Sequence, residues 1–282
     1  MPLVSILSEL RKAQDGQYAI PCFDTFEMMG TVGILAALEA KRAPGIVGVY
    51  SGALDRPSGR AFAAFVRTMA EDASVPVSLI LDHGASFEHC MKALSYGFSD
   101  VMYDGSRLSL EENIATTRTV VRAAHAMGAA VEAELGQVGR GRDYQSFGAQ
   151  GKGFTDPDVV ERFVAETGVD FLAVAVGTAH GMYQGEPNLA LDLLARIRRR
   201  VDVPLVLHGG SGLSDDQFRA AIVQGISKIN IFTNLAQEAG ARMIEAARAE
   251  DASFISIART VTGAFQESCE RHLDVFGTSG RA

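Results

Sequence analysis

The chain has 282 residues, of which 47 % are hydrophobic, and a formal net charge of −8. That length suits one large α/β domain spanning residues 1–282, since a closed barrel of eight strand–helix units typically takes about 250 residues. The acidic balance and the lack of any basic run argue against nucleic acid as a partner.

At the N-terminus Leu3, Val4, Ile6, Leu7 and Leu10 have helical spacing, broken by Ser8 and Glu9. The stretch therefore reads as a helix, not as a secretory signal or a membrane span. Cys22, Cys90 and Cys269 are odd in number and widely spaced, which reads as reduced thiols and a cytoplasmic protein with no membrane partner. Short apolar runs then recur, each followed by a helical pattern: Tyr18–Cys22, Gly45–Tyr50 after a helix over Gly30–Ala40, Val77–Leu81, Asp100–Asp104, Ala130–Leu135, Phe171–Val176, Leu205–Leu207 and Lys228–Ile231. Eight such alternations predict a closed parallel (β/α)8 (TIM) barrel, not a sandwich or a doubly wound sheet. Asp156-Pro157-Asp158 reads as an N-cap with proline at the first helical position, and Gly168 as the stop. Ser214 and Gln217 form a second capping pattern. The connection from Gly136 to Thr155 has no apolar periodicity and reads as functional or mobile. The terminal Phe276–Ala282 reads as a mobile tail.

In such a barrel the chemistry sits at the C-terminal ends of the strands. Seven polar residues stand there: Asp82 and His83, Asp104, Glu134, His180, His208 and Asn230. Three histidines on three strand ends can converge on one point, and three neutral imidazoles with an open fourth position make a catalytic divalent site, most often zinc. His89, His125 and His272 lie in helical patterns and read as structural. Asp82 precedes His83, so alternation should aim the two side chains apart. A carboxylate there can move a proton, or accept a hydrogen bond from a ligand imidazole. Asp104 and Glu134 read as partners of the ligand imidazoles or as an alternative metal set. Gly181, Gly209, Gly210, Ser211 and the Asn230–Thr233 stretch leave backbone donors and hydroxyls for a phosphate.

These motifs resemble the class II ketose-bisphosphate aldolase family, with the tagatose-type branch closest in wording. The resemblance runs nearly end to end. It is carried by Leu81-Asp-His-Gly84, Val101-Met-Tyr-Asp-Gly-Ser106, Glu132-Ala-Glu-Leu-Gly136, Phe171 to Tyr183, His208-Gly-Gly-Ser-Gly212 and Lys228-Ile-Asn230. It implies one Zn²⁺ per subunit on His83, His180 and His208, with room for a monovalent cation, and Asp82 as proton donor to the aldehyde oxygen. Gly181, Gly209, Gly210, Ser211, Asn230, Ile231, Phe232 and Thr233 would hold dihydroxyacetone phosphate. The zinc would polarise the ketone and stabilise an enediolate, so no lysine Schiff base is needed. The family is oligomeric, commonly homodimers or homotetramers.

Several positions depart from the family pattern and bear on specificity. Asp24 replaces a usual Asn, Tyr50 stands near a usual small hydroxyl residue, and Gln184 stands where many members have Lys. Phe232 occupies a phosphate-side position usually small or acidic. The loop usually reads Gly-Gly-x-Glu-Asp, whereas here Gly139-Arg-Gly-Arg-Asp143 puts Arg142 in the place of the Glu. Arg140 and Arg142 can grip a carboxylate or a second phosphate bidentately. Three readings stay open: a zinc aldolase for a ketose bisphosphate, the same metal site acting as aldolase or epimerase on a more acidic sugar phosphate, and a binding protein without turnover.

Overall fold

A computed structural model describes residues 3–282. Its strands are β1 (Ile20–Thr25), β2 (Gly45–Tyr50), β3 (Val77–Gly84), β4 (Asp100–Tyr103), β5 (Ala130–Leu135), β6 (Gly139–Arg140), β7 (Phe171–Val174), β8 (Ala179–His180), β9 (Leu205–Leu207) and β10 (Ile226–Ile231). Eight of them close a parallel barrel in the ring order β1-β10-β9-β7-β5-β4-β3-β2, while β6 and β8 pair separately above it. The helices are α1 (Leu7–Gly16), α2 (Met28–Ala40), α3 (Ser51–Leu54), α4 (Gly59–Asp72), α5 (Phe87–Ser95), α6 (Leu110–Ala126), α7 (Pro157–Thr167), α8 (Leu191–Arg198), α9 (Asp215–Val223), α10 (Thr233–Ala246) and α11 (Phe254–Phe276). This is the (β/α)8 barrel that the alternation predicts.

Strand alternation splits the core in two. Outward residues such as Val47, Leu79, Val131, Leu172 and Ile229 pack under the helices. Inward residues Ile20, Ile46, Ile80, Met102, Ala130, Phe171 and Val206 fill the lower barrel, where Ile6, Leu10 and Ala13 of the α1 region plug the floor. Asp100 seals the same end, taking hydrogen bonds from Ser5 Oγ (2.6 Å), Ser78 Oγ (2.6 Å), Ile6 N (2.9 Å) and Ala130 N (3.1 Å). Above the apolar layers the interior turns polar at Glu132 and Lys228, both fully buried.

Helix starts follow the sequence signals. Asp156 accepts from Asp158 N, Pro157 takes the first helical position, and Gly168 ends α7 at φ +69°. Ser214 and Gln217 form the capping box that opens α9.

Three expectations need correction. Leu3 and Val4 are extended and pair with Val77, so the N-terminal helix starts only at Leu7. The 136–155 connection, read as functional or mobile, is a packed loop, not a mobile one: Tyr144 is buried and its hydroxyl accepts from Asn188 N at 2.7 Å, while Gln137, Val138 and Arg140 keep the functional reading by lining the cavity described below. The tail is docked: buried Thr278 donates to Ala19 O at 2.6 Å, while Gly280 N and Ala282 N donate to Lys41 O and Arg42 O. Side-chain periodicity shows none of these, because each is held by hydrogen bonds to a distant segment.

Candidate active site

β3 delivers two functional side chains where simple alternation would deliver one. His83 adopts φ +49°, and the β3–β4 register shifts between Leu81 and Gly84. This left-handed step costs a non-glycine residue on the order of 1 kcal/mol or more. It turns Asp82 and His83 into the same cavity, so the expectation that they diverge fails. Asp82 Oδ2 lies 3.9 Å from His83 Nε2, and Asp82 Oδ1 accepts from Asn230 Nδ2 at 2.9 Å.

The three histidines meet. His83 Nε2 is 3.2 Å from His180 Nε2 and 3.1 Å from His208 Nδ1. The outer nitrogens are already engaged, His83 Nδ1 by Asp104 Oδ2 at 2.8 Å and His208 Nε2 by Glu132 Oε1 at 2.7 Å. Those carboxylates need N–H groups facing them, which leaves lone pairs converging on one point. A single proton on His83 Nε2 can bridge to only one of its two neighbours. A divalent cation satisfies all three nitrogens, so the donor set fits a metal. His83, Asp104 and Glu134 form a second group of suitable spacing, through the other side of the same imidazole.

The electrostatics agree. Burial works against a charge on His83, yet Asp82, Asp104 and Glu134 together push its pKa up to about 10. Burial and the neighbouring His83 lower His180 to about 3, and the same causes hold His208 well below its ordinary range. One cationic site between two neutral imidazoles is the distribution a metal ion would replace. Burial and the nearby Asp104 carboxylate push Glu134 up to about 8. Burial, then Asp82, raise Asp24, whose Oδ1 is buried with no hydrogen-bond partner.

A cavity of about 780 Å³ opens over this group at the C-terminal rim. Asp24, Tyr50, Asp82, His83, Asp104, Glu134, Arg140, His180, Gly181, His208, Gly209, Ser211, Asn230, Phe232 and Thr233, all expected from the sequence, line it. Gly210, Ile231, Arg142 and Gln184 do not. Ile231 points outward into the helix layer, as alternation from inward Asn230 requires. Arg142 is exposed and pairs loosely with its neighbour Asp143 at 3.6 Å, whereas Arg140, held opposite His180 by the β6–β8 pair, faces the site. Gly209, at φ +67°, passes so close to Ala179 that a Cβ would lie 2.5 Å from its carbonyl oxygen.

Sequence and structural comparisons fall on the same proteins. Residues 4–281 match the family model described as fructose-bisphosphate aldolase class-II. The chain is 43 % identical over 236 residues to a fructose-bisphosphate aldolase of Geobacillus stearothermophilus, covering 83 % of this chain and 82 % of that one. It is 39 % identical over 270 residues to the protein YdjI of Escherichia coli K12, with 96 % of each covered. The crystal structure of the YdjI aldolase superposes with a TM-score of 0.89, at 35 % identity and 99 % coverage of both chains. A putative fructose-1,6-biphosphate aldolase from Coccidioides immitis gives 0.88 at 31 % identity, covering 98 % of this chain and 96 % of that one.

The chain belongs to the class II fructose-bisphosphate aldolase family. It is thus a member of a family of aldehyde-lyases on a TIM barrel. Among the described residues no helix is long and apolar enough to cross a membrane.

Site reasoning from sequence missed five residues in this aldolase. Glu132 and Lys228 sit inside quoted motifs, but nothing in one dimension shows that they pair across the barrel at 2.8 Å and touch His208 and Asn230. Arg56 and Arg107 line the cavity from the loops after β2 and β4. Phe26 packs edge-on against Phe232 at 5.6 Å between ring centroids, forming an aromatic lip. Lone loop residues of this kind carry no spacing signal.

Proposed function

We propose that this chain is a zinc-dependent aldolase. It would cleave a ketose phosphate, of the fructose or tagatose 1,6-bisphosphate type, reversibly to dihydroxyacetone phosphate and an aldehyde. The observation that carries this reading is the convergence of His83 Nε2, His180 Nε2 and His208 Nδ1 beside Asp82 in one cavity. A zinc ion held by these three nitrogens would supply a Lewis acid that draws electron density from the substrate ketone and its neighbouring hydroxyl.

The protein's own groups have distinct tasks. Asp82, with Oδ1 held by Asn230, keeps Oδ2 for proton transfer. In cleavage it takes the proton of the C4 hydroxyl as the C3–C4 bond breaks, and in condensation it returns that proton to the aldehyde oxygen. The phosphate of the ketose would lie against Gly181, Gly209, Ser211 and Thr233. There α10 presents its N-terminus, and the first-turn amides together with the helix dipole favour an anion. Asp104 and Glu132 orient His83 and His208 by accepting from the nitrogens turned away from the centre.

One observation favours a second anionic group at the far end of the substrate. Arg56, Arg107 and Arg140 line the cavity from the loops after β2, β4 and β5, on the side of the ring across from the phosphate cradle at β9 and β10. Arginine binds phosphate and carboxylate alike, so the distal group is a second phosphate or an acidic sugar carboxylate, acted on by an aldolase or an epimerase.

The direct test is solvent-proton exchange into dihydroxyacetone phosphate in D₂O, with and without a chelator. Chelator-sensitive exchange is expected. Zinc-loaded protein that exchanges nothing would overturn the reading. Cleavage assays on bisphosphate and uronate-type ketose phosphates then separate the two distal groups.

A further inference from the structure

The polar layer under the cavity contains a group that the proposed chemistry leaves without a task. Lys228 is fully buried, and lysine is almost never sealed from water unless paired. Its Nζ lies 2.8 Å from Glu132 Oε2 in an ion pair and donates to Asn230 Oδ1 at 2.7 Å. An ammonium can only donate. The Asn230 amide must therefore turn its oxygen to Lys228 and its nitrogen to Asp82 Oδ1, at 2.9 Å. On the other arm, Glu132 is held on one oxygen by Lys228 and offers the other to His208 Nε2 at 2.7 Å. That bond fixes Nδ1 as the face His208 shows to His83 and His180.

We infer that Lys228 is a positioning residue that sets two parts of the site at once: through Glu132 the ring orientation of His208, and through Asn230 the placement of the Asp82 carboxylate. The chain of contacts His208–Glu132–Lys228–Asn230–Asp82 runs unbroken from the metal triad to the proton-transfer group, and every link but Lys228–Asn230, which lies within β10, crosses between different strands. Lys228 makes contact with neither substrate nor triad, so its effect passes through its two partners. The simpler alternative is that Lys228 only balances the buried charge of Glu132. The two differ at Asn230. Charge balance is restored by removing both charges, whereas the donor that selects the amide orientation is not.

The experiment compares Lys228→Met, Glu132→Gln and the double variant, with three readouts. Zinc affinity by chelator competition reports the histidine arm. Solvent protection of the Asn230 side-chain amide, followed by NMR of asparagine-labelled protein and assigned by its loss in Asn230→Ala, reports the acid arm. The ratio of cleavage to dihydroxyacetone phosphate exchange at saturating zinc reports the consequence, and this last readout alone rests on the proposed function. In Lys228→Met zinc affinity should fall about 10- to 100-fold. Asn230 protection should fall by about ten-fold or more, the value of one hydrogen bond from a charged donor. Cleavage should drop further than exchange. The double variant, free of any unpaired buried charge, should recover folding and part of the zinc affinity, but not Asn230 protection or cleavage. Should Lys228→Met fail to fold, the double variant decides alone. A double variant with wild-type Asn230 protection would overturn the inference in favour of charge balance, and so would a folded Lys228→Met with unchanged zinc affinity and protection. If the wild type fails to exchange or cleave, the proposed function falls, while the zinc and NMR readouts still judge Lys228.

Discussion

His83 can serve a metal through either ring nitrogen, and a pair of substitutions distinguishes the two arrangements. If the ion sits on Nε2 with His180 and His208, Asp104 only holds the ring through its 2.8 Å contact with Nδ1. Asp104→Asn then exchanges a charge-assisted hydrogen bond worth about 1.5–3 kcal/mol for a neutral one of about 0.5–1.5 kcal/mol. The loss of roughly 1–1.5 kcal/mol corresponds to a zinc affinity lower by about 5- to 13-fold. That lies near the lower end of what an outer partner of a ligand imidazole usually costs, about 10- to 100-fold. His180→Ala, by contrast, removes a ligand and should weaken binding far beyond that range. If the ion instead sits on Nδ1 with Asp104 and Glu134, the order reverses. Competition with a chromophoric chelator, run on wild type and both variants at one pH, reads the order directly. Zinc binding that collapses in Asp104→Asn and survives intact in His180→Ala would refute the three-histidine centre.

Three further outcomes follow from the same geometry. Without metal His83 keeps its proton up to about pH 10, because Asp82 and Asp104 outweigh its burial. Metal must displace that proton, so zinc affinity should rise about ten-fold per pH unit between pH 6 and 8. Calorimetry in buffers of different ionisation enthalpy should find close to one proton released, and a flat profile would contradict the assignment. Asp82→Asn should keep its zinc and still exchange protons into dihydroxyacetone phosphate, yet cleave about 10²- to 10⁴-fold more slowly; undiminished cleavage would remove Asp82 from the chemistry. Thr278→Ala leaves the Ala19 carbonyl without its 2.6 Å donor in a buried place. That costs about 1–3 kcal/mol and should lower Tm by several degrees in a thermal melt, whereas an unchanged Tm would mean the docked tail adds nothing to stability.

The strand–helix alternation, the helix starts at Asp156 and Ser214 and the three histidines at strand ends were legible because each is a local pattern. Apolar period, capping chemistry and position at the end of a run belong to a few consecutive residues. The departures at Asp24, Phe232 and Arg140 were legible too, as single residues unlike their family counterparts. Arg142 shows the limit. Sequence position put it in the place of the family's loop Glu, but the loop folds back through Tyr144 and the β6–β8 pair, so that Arg140 faces the cavity and Arg142 faces water.

The sequence by itself determined the barrel, the family and the identity of the residues crowding its catalytic end, since these follow from periodicities and motifs within single strand–helix units. Only the tertiary structure decided that His83 steps into a left-handed conformation, bringing Asp82 to its own side. It also decided that Arg56 and Arg107 share the cavity wall and that Lys228 joins Glu132 to Asn230 beneath it. Those relations arise from closing the ring, which brings residues dozens to nearly 150 positions apart within hydrogen-bonding distance. No pattern along one strand records which strand will stand opposite.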